Sequence, residues 1–300
     1  MWFRNLIVYT LPGTLPLSAE ELGPLLAPQA FIPGGRLEAL RVGWAPPQAD
    51  DPALVCAIGG QLLLSLRQEK KLLPARVITQ TVAERARQIE AEEGFKPGRK
   101  RLRELKDQVR DELLPRAFSL SSDTRVWIDP AARRLAVEAV SAARADEVVG
   151  LLLKAVEGLV IRPLRTEASP AGEMTAWLAE SQAPAGFTID QDAELRARDT
   201  KASVRFANQT LDHEDVLRHT RAGKQCTRLA LTWSARVAFV LTDRMEVRRI
   251  RPQDVIKEAA AGHEGDAAER FASDMSLMTG ELSRLLDALI AALGGAQAAV

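Results

Sequence analysis

Near the end of this 300-residue chain, three strand-forming runs, Lys224 to Trp233, Arg236 to Thr242 and Met245 to Arg251, are separated only by Ser234-Ala235 and Asp243-Arg244. Connections this short can reverse a chain but cannot carry it across a sheet face, so the runs must pair antiparallel as a meander. A second reversal lies upstream, where Leu54 to Ile58 and Gln61 to Arg67 flank Gly59-Gly60. Further strands are expected at Trp2 to Thr10, Thr124 to Ile128, Arg134 to Ala139, Phe187 to Asp190 and Arg198 to Ala207, each bounded by turn-forming residues.

Helical signals alternate with these strands. Ser18 and Glu21 form a capping box for a helix through Leu26. Pro74 opens a stretch with Ile78, Val82, Ala86 and Ile89 at helical spacing, broken at Gly94-Phe95-Lys96-Pro97-Gly98 before a second helix begins. Helices are also predicted from about Ala143 to Glu157, over Pro170 to Glu180, over Asp212 to Thr220, and along a last stripe of Phe271, Met275, Met278, Leu282, Leu285, Leu286, Leu289 and Leu293. Leu63 to Ile78 and Leu241 to Ile256 echo one another as strand, charged stretch, proline and helix start, which suggests one such unit in each half. The expected fold is α+β, with mixed or antiparallel sheets, two related halves and an inserted helical hairpin. Its domains are a central α+β domain of residues 1–74 and 119–165, a hairpin tip of residues 75–118 and a C-terminal α+β base domain of residues 166–300.

Charge is the only repeated functional signal. Lys96, Arg99, Lys100, Arg101, Arg103 and Lys106 crowd the start of the second hairpin helix, where Arg99, Arg103, Lys106 and Arg110 share one face and Leu102, Leu105, Val109 and Leu113 the next. Such a helix can bury one stripe and offer the other to phosphates. Other basic groups are Arg67, Lys70, Lys71 and Arg76; Lys201 and Arg205; Arg221, Lys224 and Arg228; and Arg248, Arg249 and Arg251. Yet 40 Lys and Arg balance 40 Asp and Glu, so a polyanion must be met by bases gathered on one surface. Aromatic residues make up only 5% and do not interleave with the bases, which disfavours a stacking platform for single strands and favours contact with a duplex backbone.

Catalytic patterns are weak. His213, His219 and His263 lack partners at metal-ligand spacing, so no metal site and no cofactor is expected. Ala222-Gly223-Lys224 lacks the remaining residues of a phosphate loop. Asp129 and Glu138 bracket a hairpin as nuclease carboxylates can, but Val140 stands where a lysine would be needed; a turn Asp and a solvent-facing strand Glu are the simpler reading. Cys56 and Cys226 match no redox or zinc spacing and read as reduced thiols. With no apolar run near the roughly 18 residues of a membrane span and no signal-peptide pattern, a cytoplasmic protein is expected.

Several segments in order, MWFRNLIVYTL, AFIPGG, VGWAPP, KLLPARVI, LLPRAFS, VWIDP, AGK with TRLALTW, and FASDMSLMTGEL, resemble the bacterial recombination-associated RdgC family over essentially the whole chain. The resemblance implies a nucleoid-associated, non-enzymatic protein that forms a ring-shaped homodimer, encircles duplex DNA without sequence preference and restrains the RecA recombinase. It assigns Phe118 to a gate contact between subunits and Arg205, Asn208, Gln209, Lys224 and Arg228 to DNA; the internal echo adds Lys71 and Arg76. Arg99, Arg103 and Lys106 would flank the duplex. At Asn208 an amide stands where a base is expected. The alternative is a protein-interaction module that docks the recombinase directly on the helical hairpin.

Overall fold

The computed structural model describes residues 2–13, 18–261 and 265–297. Its elements are β1 (Leu6–Thr10), α1 (Ala19–Leu26), β2 (Leu40–Ala45), β3 (Val55–Ile58), β4 (Gln61–Lys71), α2 (Ala75–Glu93), α3 (Arg99–Leu113), β5 (Ser119–Asp129) and β6 (Arg134–Val137). They continue with α4 (Ala142–Ala155), β7 (Arg162–Pro163), α5 (Pro170–Glu180), β8 (Phe187–Ala197), β9 (Ser203–Phe206), α6 (His213–Arg221), β10 (Lys224–Trp233), β11 (Val237–Thr242), β12 (Glu246–Pro252), α7 (Asp254–Ala261) and α8 (Ala267–Ala292). The class is α+β, and the strands described below pair antiparallel. Two compact units form: Met1–Pro28 with Pro46–Leu64 and Arg125–Val300, and Gln29–Ala45 with Ser65–Thr124.

In the first unit the strand order is β5-β6-β1-β12-β11-β10-β8-β9. β1 links strands from distant parts of the chain, with Ile7 opposite Val137 of β6 and Leu6 opposite Val247 of β12. The meander of β10, β11 and β12 forms as its short connections require. Gly59 and Gly60, at φ 58° and 76°, make the tight β3–β4 turn that side chains would strain.

One face of this sheet is covered by α5, α6 and α8. On α8, Met275, Met278, Leu282, Leu285, Leu286, Leu289 and the following Leu293 are fully buried, as their spacing predicts. Asp266 and Glu269 close a capping box at its start. Each such leucine contributes roughly 2 kcal/mol by leaving water.

Within the apolar stripe sits Glu281, 1% exposed, gripped by the Arg236 guanidinium at 2.8 and 2.6 Å and by Arg284. Arg236→Met is expected to cost about 3 kcal/mol in urea unfolding, near the low end for breaking a buried pair because Arg284 remains. An unchanged midpoint would mean that Arg284 alone neutralises Glu281.

The second unit contains β2, most of β4, the start of β5 and the mutually packed α2 and α3. Leu105 and Val109 of α3 are buried while Arg99, Arg103 and Lys106 are exposed, in keeping with the amphipathic reading. Arg85 of α2 bonds Glu112 of α3. Arg67 of β4 holds Asp123 of β5 through two 2.8 Å bonds and lies over the Phe31 ring.

β2 has no counterpart among the expected strands. Gly43 and the prolines after Ala45 disguise it, yet the glycine is what allows it: a Cβ there would lie 2.6 Å from the Phe31 Cα, where the Phe31 N–H donates to the Trp44 carbonyl. β8 runs seven residues past its expected end at Asp190, to Ala197. Its outer half alternates Asp192, Glu194 and Arg196 with Ala193 and Leu195, so only one of its faces is apolar. β9 is shorter than expected, because Arg198 to Thr200 form the turn that precedes it.

Candidate nucleic-acid interface

The β8–β12 sheet buries Leu195, Cys226, Leu229, Leu231, Phe239, Leu241, Val247 and Ile250 on its helix-covered side. Alternation turns the intervening residues to the other side, where Arg205 and Arg228 are exposed. There Arg205 of β9 stands opposite Glu194 of β8, Glu194 opposite Arg228 of β10, and Arg228 opposite Thr242 of β11. The next rows carry Ala230, Val240 and Arg248, then Thr232, Ala238 and Arg251. Short side chains on the two middle strands thus lower the floor between long arginines.

An irregularity in β12 increases the number of arginines on this face. Ala238 pairs with Arg251 and Val240 with Arg248, so β12 contains one extra residue over that interval. Arg249 takes up the difference at φ 51°, a left-handed conformation that costs a residue with a side chain about 1 kcal/mol. Ile250 still reaches the core, while Arg248, Arg249 and Arg251 all line the open side.

Three depressions result. One of about 230 Å³ lies among Asn5, Asp192, Glu194, Arg205, Arg228 and Arg249; one of about 730 Å³ among Asp190, Asp192, Arg205, Asn208, Arg249 and Arg251; and one of about 320 Å³ among Glu194, Arg196, Arg228, Arg244, Glu246 and Arg248. Arginines outnumber carboxylates, and they differ in availability. Arg248 is committed, bonded twice to the buried Glu246 at 2.8 and 2.6 Å and to the Val140 carbonyl at 2.7 Å. Arg228 approaches Glu194 only to 3.7 Å, and Arg249 approaches Asp192 only to 3.5 Å; both are more than half exposed. Arg205 and Arg251 are exposed and make no ion pair among the described residues. Guanidinium groups so placed can exchange water for phosphate oxygens at little cost.

A family model described as "Putative exonuclease, RdgC" matches residues 1–296 of this chain. The chain belongs to the RdgC family. Relatives named recombination-associated protein RdgC include those of Cupriavidus pinatubonensis, 52% identical over 98% of this chain and 99% of the relative, Burkholderia cenocepacia, 51% over 98% and 96%, and Bordetella pertussis, 48% over 98% and 99%.

In this RdgC-family chain the residues expected to meet DNA are placed as follows. Arg205 and Arg228 stand in one row, and Asn208 lines a depression beside them. Asn208 adopts φ 51° and donates its N–H to Asp192 at 2.9 Å; asparagine tolerates that conformation, which accounts for an amide at this position. Gln209 is exposed in the same turn. Lys224 lies on the α6 side, half-buried, its Nζ 3.4 Å from His219 Nδ1. Burial first, then Lys224 and Arg218, hold the His219 imidazole below its ordinary pKa. Lys71, Arg76, Arg99, Arg103, Lys106 and Phe118 belong to the second unit. The arginines of β12 form a basic group in the sequence, and the extra residue in that strand gives them their place on this face.

The other reactive side chains are engaged. Asp129 accepts the Ala132 N–H and the Ser283 hydroxyl, capping its turn. Glu138 is not solvent-facing as expected: it binds Arg125 at 2.7 Å and the Arg4 N–H at 2.9 Å. Among the described residues no group of three or more His, Cys, Asp or Glu is placed to hold a metal ion. Burial pushes the Cys226 thiol up to about 12, and burial followed by Asp51 raises Cys56. His213 bonds Ser181 at 3.0 Å, whereas His263 lies outside the described residues. No helix among those residues is long and apolar enough to cross a membrane.

Proposed function

We propose that this chain is a recombination-associated protein that binds duplex DNA through its phosphates on the open arginine face of β8–β12. The observation that carries this reading is the shared row of Arg205 and Arg228, with Arg249 and Arg251 beside it, above a floor of Ala230, Ala238 and Val240. Such a face offers forks for phosphate oxygens and nothing shaped to enter a groove and read bases, so binding is independent of sequence. Neutral net charge is compatible with it because the arginines lining this face outnumber its carboxylates.

The likeness to RdgC proteins extends the reading to a ring-shaped homodimer that encircles the duplex and restrains the RecA recombinase by occupying its DNA. Phe118, 83% exposed, supports a subunit contact, since a ring left in water favours burial against a partner. The bases of α3 then flank the duplex. The chain acts as a nucleoid component without catalysis.

Fluorescence anisotropy with a duplex of random sequence tests the central step. Affinity is expected to fall with salt at a log-log slope of about −0.9 per phosphate neutralised. A salt-independent interaction, or none, refutes it.

A further inference from the structure

We infer that the β12 bulge at Arg249 builds a seat for a single phosphodiester group, with Arg249 and Arg205 as its main donors, Arg228 at its rim and Asp192 as the counter-ion that the phosphate displaces. This deepens the proposed duplex binding and rests on it.

The bulge is the first support. Without the extra residue, strict alternation would send one of two consecutive arginines into the apolar core; with it, Arg248 and Arg249 both reach the open side and Ile250 still packs inside. A residue with a side chain is kept at φ 51° where glycine would be unstrained. Strain retained at such a point is expected where the side chain does something that glycine cannot.

The second support is the way the neighbouring charges are held. Arg248 is tied to Glu246 and the Val140 carbonyl, which fixes the end of the strand and removes that guanidinium from competition. Arg249 donates its backbone N–H to Asn5 and has only a 3.5 Å contact between its guanidinium and Asp192. Asp192 keeps a separate bond from the Asn208 N–H, so it remains stabilised when Arg249 turns to another anion. Arg205 enters the same depression with no ion-pair partner among the described residues. A tetrahedral phosphate is the anion that two forks from different strands suit.

The test compares Arg249→Asn, which tolerates the left-handed backbone, with Arg133→Asn. Arg133 is also exposed at φ 51° but sits in the β5–β6 turn and lines none of these depressions. Both variants lose one charge and relieve the same backbone conformation. For Arg249→Asn, duplex affinity is expected to fall about tenfold and the salt slope to become shallower by about 1, with Arg133→Asn close to the parent. Asp192→Asn is expected to tighten binding, and to lose that gain when combined with Arg249→Asn. If the parent binds duplex DNA while Arg249→Asn and Arg133→Asn match it in affinity and slope, the seat is refuted and the duplex reading stands. If the parent does not bind duplex DNA, the duplex reading fails and the seat with it.

Discussion

Reversing Arg205 and Arg228 together to glutamate is expected to weaken duplex binding at least about a hundredfold at moderate salt, or about 2.7 kcal/mol. Both stand in one cross-strand row about Glu194, so the reversal turns a row of two bases and one acid into three acids. Two phosphate contacts are lost, which makes the salt slope shallower by about 1.8, and repulsion adds to that loss. Both side chains are exposed, so the thermal midpoint should move by no more than a few degrees. The paired change to glutamine is expected to show a smaller loss of the same sign. Parent-like binding by the glutamate variant would remove this face from the interface. The same variant separates obstruction of DNA from direct docking: if it still restrains the recombinase in a strand-exchange assay, the helical pair of α2 and α3 becomes the acting surface.

In the proposed homodimer, Phe118→Ser is expected to weaken association about a thousandfold while leaving the protomer folded. Its ring is 83% exposed, and its backbone carbonyl accepts the Leu72 N–H at 2.7 Å, a bond that serine retains. Leu72, which makes that bond, and Leu120, close by in the chain, are also exposed, at 49% and 57%, and so continue the apolar surface. An aromatic anchor at the centre of an interface contributes about 2 kcal/mol or more, and a two-fold contact uses the ring of each subunit. Sedimentation velocity over a dilution series reads the dimer constant, and circular dichroism reads the fold. A dimer constant equal to that of the parent would place Phe118 outside the interface.

Much of the fold can be read in the chain because the signals are local. Two-residue connections demand an antiparallel meander, the Ser18-Glu21 pair marks a helix start, and the Met275 to Leu293 stripe permits only one buried face. β2 and the outer half of β8 escaped because the apolar pattern fails there for reasons outside the segment. Gly43 answers to the Phe31 backbone, and the charged residues of β8 face away from the core.

For the candidate interface, residue types along the sequence show which segments are basic and that the total charge is balanced by acids. They also carry the full-length likeness to RdgC proteins. Which bases share a surface was decided only by tertiary structure, since that depends on register and on a single bulge. Pairing puts Arg205 and Arg228 in one row, while Lys224, four residues before Arg228, lies on the helix-covered side with His219. One extra residue in β12 brings Arg249 out beside them. A strand's alternation has a period of two, so one inserted residue reassigns a side chain from core to surface without altering composition or charge.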